Sequence, residues 1–168
     1  VLLVSVQKNL NIIGLKLLHQ ILREEGYESY LLYLNRFDSA NTKMMRAIEE
    51  FVRSLDPGWV GISLTASEFW DAKSLTEFLK TIFDNFPIIW GGVQPTVATR
   101  RCAEIADYVC VGEAEKTVLD LCETIKKGGN IKAVNNLAWV ENGELYINPL
   151  NPLVENLDLL PFVPRLAE

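Results

Sequence analysis

The chain has 168 residues, 49% of them hydrophobic, enough for one folded domain with a full core that removes roughly 70% of its unfolded surface from water. Its 16 basic and 22 acidic residues give a formal charge of −6, which excludes any general attraction to phosphate backbones or anionic lipid, so neither nucleic acid nor a membrane is an expected partner. Three cysteines without a Cys-x-x-Cys pair, together with a single histidine, exclude a disulfide framework and the ligand sets of zinc or iron–sulfur sites, and they suit a reducing, cytoplasmic setting.

In chain order, "VLLVSV" (1–6) is a continuous apolar run of strand length, too short and without the basic lead of a signal peptide. "NIIGLKLLHQILREEG" (11–26) has the spacing of an amphipathic helix and stops on glycine. The same alternation continues through a strand at 27–34, a helix at 42–55, a strand at 59–64, a helix at 66–86 and a strand at 87–90. It ends with a helix at 96–106, a strand at 107–112 and a helix at 113–129. Short apolar strands interleaved with helices predict an α/β domain, a doubly wound five-stranded parallel sheet covered on both faces. Beyond it, Asn142-Gly143 between two short strand-like runs predicts a two-residue hairpin over 130–148. Pro149, Pro152, Pro161 and Pro164 mark 149–168 as an extended connector. The division expected is thus 1–129, 130–148 and 149–168.

In such a sheet, ligands bind outside the carboxyl ends of the strands. The loops there are "QKNLN", "TASEF", "GGVQPT" and "GEAEKT", and they collect the glycines and small hydroxyls that permit close approach. The Gly-x-Gly-x-x-Gly of dinucleotide folds and the phosphate loop of nucleotide hydrolases are both missing, and Ser63 stands where a phosphoacceptor receiver carries Asp.

Gly14 opening the first helix, "GISLT" ending the third strand, "WGGVQPT" ending the fourth and "VGEAEKT" ending the fifth together resemble the cobalamin-binding domain at the N-terminus of radical S-adenosylmethionine enzymes. The "NPLVENLDLLPFVP" tail is similar to the segment that joins that domain to the radical barrel, so the resemblance covers essentially the whole chain. It implies a flavodoxin-like strand order 2-1-3-4-5, cobalamin as ligand, and the C-terminal radical barrel of the same polypeptide as partner. S-adenosylmethionine and a 4Fe-4S cluster would belong to that barrel, whose cysteine triplet is not in this stretch. Some relatives are labelled anaerobic magnesium-protoporphyrin monomethyl ester cyclases, a subgroup the sequence does not decide.

The resemblance also assigns residues. Gly91 and Gly92, followed by Val93, match the pair beside which the nucleotide tail of cobalamin threads, where a Cβ would collide with it; the plain alternative is a permissive turn. On this reading Gly92→Leu abolishes cobalamin retention and leaves melting nearly intact. Ser63 and Leu64 match the start of the Ser-x-Leu motif, whose serine donates to the buried base, and Thr65 replaces its leucine. Asn9 and Asn11 occupy the aspartate and histidine positions of Asp-x-His-x-x-Gly, which ends at Gly14. Cobalt would then have no histidine beneath it, and the cofactor would be held base-off and His-off; Asn11 otherwise reads as a helix N-cap. Gly112 is expected to allow close approach. Glu113 and Glu115 either favour the helix dipole or contact cofactor amides, and Glu113 is carried into the expected site. His19 and Arg100-Arg101 read as solvated helix faces, and Phe69, Trp70 and Trp90 as core or as a corrin edge contact.

Two rivals stay open. One is a degenerate domain that has lost the cofactor and serves as a docking or regulatory module, supported by the asparagines at 9 and 11 and by Thr65. The other is a flavin- or nucleotide-binding relative, disfavoured because the first loop lacks a hydroxyl-rich phosphate cradle.

Overall fold

The computed structural model describes residues 1–8 and 12–163. Strands β1 (Leu2–Ser5), β2 (Tyr30–Tyr33), β3 (Val60–Ser63), β4 (Ile88–Gly91) and β5 (Tyr108–Cys110) pair in parallel in the expected order 2-1-3-4-5. Helices α1 (Ile13–Glu24), α2 (Thr42–Leu55), α3 (Phe69–Ile82), α4 (Val93–Val97), α5 (Thr99–Ala103) and α6 (Glu115–Lys126) make the connections. The hairpin, β6 (Leu137–Glu141) and β7 (Glu144–Ile147), does not stand apart. It pairs antiparallel with β5 and extends the sheet to seven strands. Asn142 and Gly143 have φ of 52° and 80°, the double left-handed turn their sequence predicts.

A strand's side chains alternate between faces, so each strand serves two different layers. Leu2, Val4, Val60, Ile62, Ile88, Trp90 and Val109 point to one face and meet α2, α3 and α5 through Ile48, Val52, Leu75, Leu79 and Cys102. Trp90 is fully buried there, its Nε1 donating to Thr76 Oγ1 at 2.9 Å, with the Phe69 ring edge-on at 5.8 Å. Leu3, Trp59, Ile89 and Cys110 point to the other face, where Leu15 and Leu22 of α1 and Val118 and Leu121 of α6 cover them.

The helix expected at 96–106 begins earlier and is broken. Gly92, at φ 101°, starts α4 directly after β4, and Ala98, at φ −129° and ψ 47°, separates α4 from α5. Near the other end of the domain, Gly128 adopts φ 62° and Gly129 N–H donates to the carbonyl of Thr124 at 2.8 Å, closing α6 as its glycine pair predicts. Cys102, Cys110 and Cys122 are free and buried. No helix among the described residues is long and apolar enough to cross a membrane.

Candidate functional site

The layer under α1 and α6 is incompletely filled. A cleft of about 220 Å³ runs down from the carboxyl edge of the strands between these two helices and the sheet. Its floor follows from register. Ser5, Ser63 and Gly91 are cross-strand neighbours at the ends of β1, β3 and β4, and Leu3, Gly61 and Ile89 form the row beneath. Two glycines and a serine in adjacent positions leave a stretch of sheet almost bare. At the bottom the Trp59 ring lies across Gly61, close enough that a Cβ there would meet ring carbon Cζ3 at 2.9 Å. The walls are Ile12, Gly14, Leu15 and Leu18 on one side, and Glu115, Thr117, Val118 and Leu121 on the other.

Of the residues expected from sequence, Gly14, Ser63, Gly91, Gly92, Gly112 and Glu113 are brought together along this cleft. Leu64 is fully buried among the side chains of the opposite face. Thr65 does not line the cleft: it faces Glu68 in a capping box, its N–H and its Oγ1 both donating to Glu68 Oε2. Val93 is 66% exposed at the start of α4. Asn9 and Asn11 lie outside the described residues.

The two adjacent glycines have different reasons for being glycine. A Cβ on Gly91 would find only the Cys110 Cβ, at 4.0 Å, so its missing side chain opens the cleft and nothing else. A Cβ on Gly92 would sit 2.9 Å from the backbone oxygen of Leu64, and its φ of 101° with ψ of −165° is a conformation reserved for glycine. Gly92 is therefore required by the fold itself, and the expectation that Gly92→Leu leaves melting nearly intact is corrected. Gly112, at φ 78°, is likewise conformational, and its N–H donates to Thr96 Oγ1 at 3.1 Å.

The paired glutamates also separate. The Glu113 carboxylate turns to the tail and accepts from the Val154 N–H at 3.3 Å. Glu115 lines the cleft, and its Oε2 is shut off from solvent with no hydrogen-bond partner. Beside it the Cys110 thiol is pushed up to about 12 by burial and by the Glu115 charge, against the opposing effect of its hydrogen bond with Thr117. Asn136, buried with φ 65°, fastens this region: its Nδ2 donates to the carbonyls of Val111 and Glu113, and its Oδ1 accepts from the Asn151 N–H.

His19 is half-buried rather than solvated, with Nδ1 3.0 Å from Ser29 Oγ, and it does not line the cleft. Burial, and secondarily Arg23, lower its pKa. Arg101 is not simply solvated either; its guanidinium lies 4.1 Å from the centre of the Phe69 ring. Trp59, Gly61, Cys110 and Thr117 are the site residues that motif reading missed, while Glu115 was weighed beside Glu113 and not carried into the expected site. Strand alternation from Ser63 back through Gly61 to Trp59 carried the signal for the first two.

The chemistry of the cleft is that of a slot for a largely apolar group with a few hydrogen-bonding atoms: an apolar floor, the Ser63 hydroxyl at the upper row, Thr117 and the Glu115 carboxylate on one wall, and a bare backbone edge at Gly91. A B12 binding domain family model matches residues 1–121. The chain belongs to the B12-binding domain family. An uncharacterized methyltransferase of Pyrococcus horikoshii is 33% identical over 118 residues, covering 68% of this chain and 26% of that protein. Among solved structures, the radical S-adenosylmethionine methyltransferase TsrM from Kitasatospora setae, with cobalamin and a 4Fe-4S cluster bound, superposes with a TM-score of 0.77 at 18% identity. That match covers 95% of this chain and 30% of TsrM. The cobalamin-dependent S-adenosylmethionine radical enzyme OxsB, with aqua-cobalamin and S-adenosylmethionine bound, gives a TM-score of 0.70 at 21% identity, over 90% of this chain and 22% of OxsB. The B12-binding domain described here thus spans about a quarter of the curated relative it matches. Its cleft fits the family's ligand, because Gly91 leaves a space that any Cβ would enter and a buried carboxylate oxygen there waits for a donor.

Proposed function

We propose that this domain holds cobalamin for a radical S-adenosylmethionine enzyme, with the lower base detached from cobalt and buried in the cleft, and with no protein imidazole beneath the metal. The observation that carries the reading is the open cleft over Gly91, between the bare sheet floor and helices α1 and α6. Leu3, Ile89, Val118 and Leu121 would pack against the base, and the Ser63 hydroxyl would donate to its free nitrogen without bringing charge into an apolar slot. When bound, cobalamin supplies a methyl group or a radical-chemistry partner; the protein contributes position and exclusion of water.

Support for the absent imidazole comes from the chain's single histidine, His19, which is paired with Ser29 away from the cleft, and from Asn11 at the position where the resemblance expects histidine. The link to radical chemistry is supported by the likeness to TsrM and OxsB and by the methyltransferase relative; the S-adenosylmethionine and 4Fe-4S sites, and the radical barrel that would meet the corrin, belong to a part of the parent outside residues 1–168. In this reading residues 1–129 form the binding domain, 130–148 its hairpin and 149–168 the approach to the barrel.

The test is direct. Protein mixed with hydroxocobalamin and passed through a desalting column should retain the colour, with the absorption of the base-off form. After reduction, the electron paramagnetic resonance of the cobalt(II) state should lack the nitrogen splitting of an axial imidazole. Colourless protein would refute the proposal in favour of a docking module, and nitrogen splitting would refute the ligation state alone.

A further inference from the structure

We infer that Glu115 selects the occupant of the cleft by accepting a hydrogen bond from a neutral hydroxyl or amide N–H of the ligand, an inference that rests on the cobalamin reading above. The side chain lines the cleft at the first turn of α6, the same cleft that Cys110, Gly91 and Ser63 border. The positive end of the helix dipole accounts for an acidic residue at this position. It does not account for a carboxylate oxygen that is sealed from solvent without a partner, because an unmade hydrogen bond to a buried charged group costs several times what a dipole contact returns.

Among the described residues no neighbouring group relieves it. Thr117 Oγ1 accepts from Asn151 Nδ2 at 3.3 Å, and no bond joins it or the Cys110 thiol to Glu115. Glu113, two residues earlier, is engaged with the tail. The space that Glu115 borders is the cleft, so the missing donor is one that a ligand brings.

Charge narrows the class of donor. A carboxylate held in a low-dielectric slot repels a phosphate at close range, so an anionic phosphoryl group cannot be the neighbour of Glu115. A neutral hydroxyl or amide N–H can. Cobalamin offers both, as ribose hydroxyls on its nucleotide tail and as amide side chains around the corrin. The same carboxylate disfavours flavin mononucleotide or any ligand that would seat a phosphate at this depth.

The experiment compares parent and Glu115→Ala protein with two probes: hydroxocobalamin, and dicyanocobinamide, which keeps the corrin amides but lacks the nucleotide. Equilibrium binding is followed by absorbance, and melting is measured without ligand. Glu115→Ala should weaken hydroxocobalamin binding by about tenfold or more, with the ligand-free melting temperature unchanged or raised, because a sealed carboxylate oxygen without a partner has been removed. Loss confined to hydroxocobalamin identifies a ribose hydroxyl as the donor; loss with both probes identifies a corrin amide. Unchanged affinity for both probes overturns the inference while leaving the binding function intact. A ligand-free melting temperature lowered by more than about 4 °C also overturns it, since the residue would then be structural. A parent protein that binds neither probe overturns this inference together with the function on which it rests.

Discussion

The two faces of one sheet are built on opposite plans from the same strands. On the face under α2, α3 and α5, Ile62, Leu64 and Trp90 interlock with Phe69, Leu75 and Leu79, and the layer is closed by its own side chains. On the face under α1 and α6, the alternate positions of the same strands are Gly61, Ser63 and Gly91, and a cleft remains. The closed layer gains about 25 cal/mol for each Å² of apolar surface removed from water, and the cleft layer forgoes part of that gain. On the proposed function, the contrast places folding on one side of the strands and ligand recognition on the other.

The largest effect should come from breaking the closed face. Trp90→Ala removes the largest fully buried side chain and leaves Thr76 without its donor, and it should cost about 4 kcal/mol in chemical denaturation. Gly92→Leu, at the junction of the two plans, should cost about 3 kcal/mol, through the strained backbone and the approach to the Leu64 oxygen, with or without cobalamin present. Gly91→Val should behave in the opposite way. Its Cβ meets nothing in the protein closer than 4.0 Å, so stability should stay within about 1 kcal/mol of the parent while hydroxocobalamin affinity falls by about tenfold or more in a titration. If Gly91→Val bound the cofactor normally, the two faces would not divide the labour as described.

The smallest effect is electrostatic. Burial, then Arg23, hold the His19 pKa below its ordinary value, so below about pH 6.5 the unfolded chain binds more protons than the folded one. The contribution is therefore present above that value and lost as the solution is acidified. His19→Gln should flatten the fall in urea midpoint between about pH 7.5 and 5.5.

What was legible in the sequence follows from range. Apolar runs of strand length, the glycine stop at 128–129 and the Asn142-Gly143 turn are local signals, and each appears in the structure where the chain placed it. The resemblance across four loops gave the family. Docking of the hairpin onto β5 was not legible, because a hairpin's sequence specifies its turn and not the edge it will join. The break at Ala98 was hidden for a similar reason: Gly92 starts α4 sooner than the apolar spacing suggests. Within the site, a Gly-Gly pair reads as one feature, although one glycine borders the open cleft and the other is set by its backbone angles and the carbonyl of Leu64. Glu113 and Glu115 were equally acidic and equally near, and both border the cleft; what separates them is long-range, the tail at Val154 engaging the first and leaving Oε2 of the second without a partner.

Asn136 reaches three separate stretches of chain with one amide: the end of β5, the loop that borders the cleft, and the backbone at Asn151. It works as a rivet. A change in the course of the chain at Asn151 would therefore be carried by a single side chain to the carbonyls of Val111 and Glu113 at the rim of the cleft.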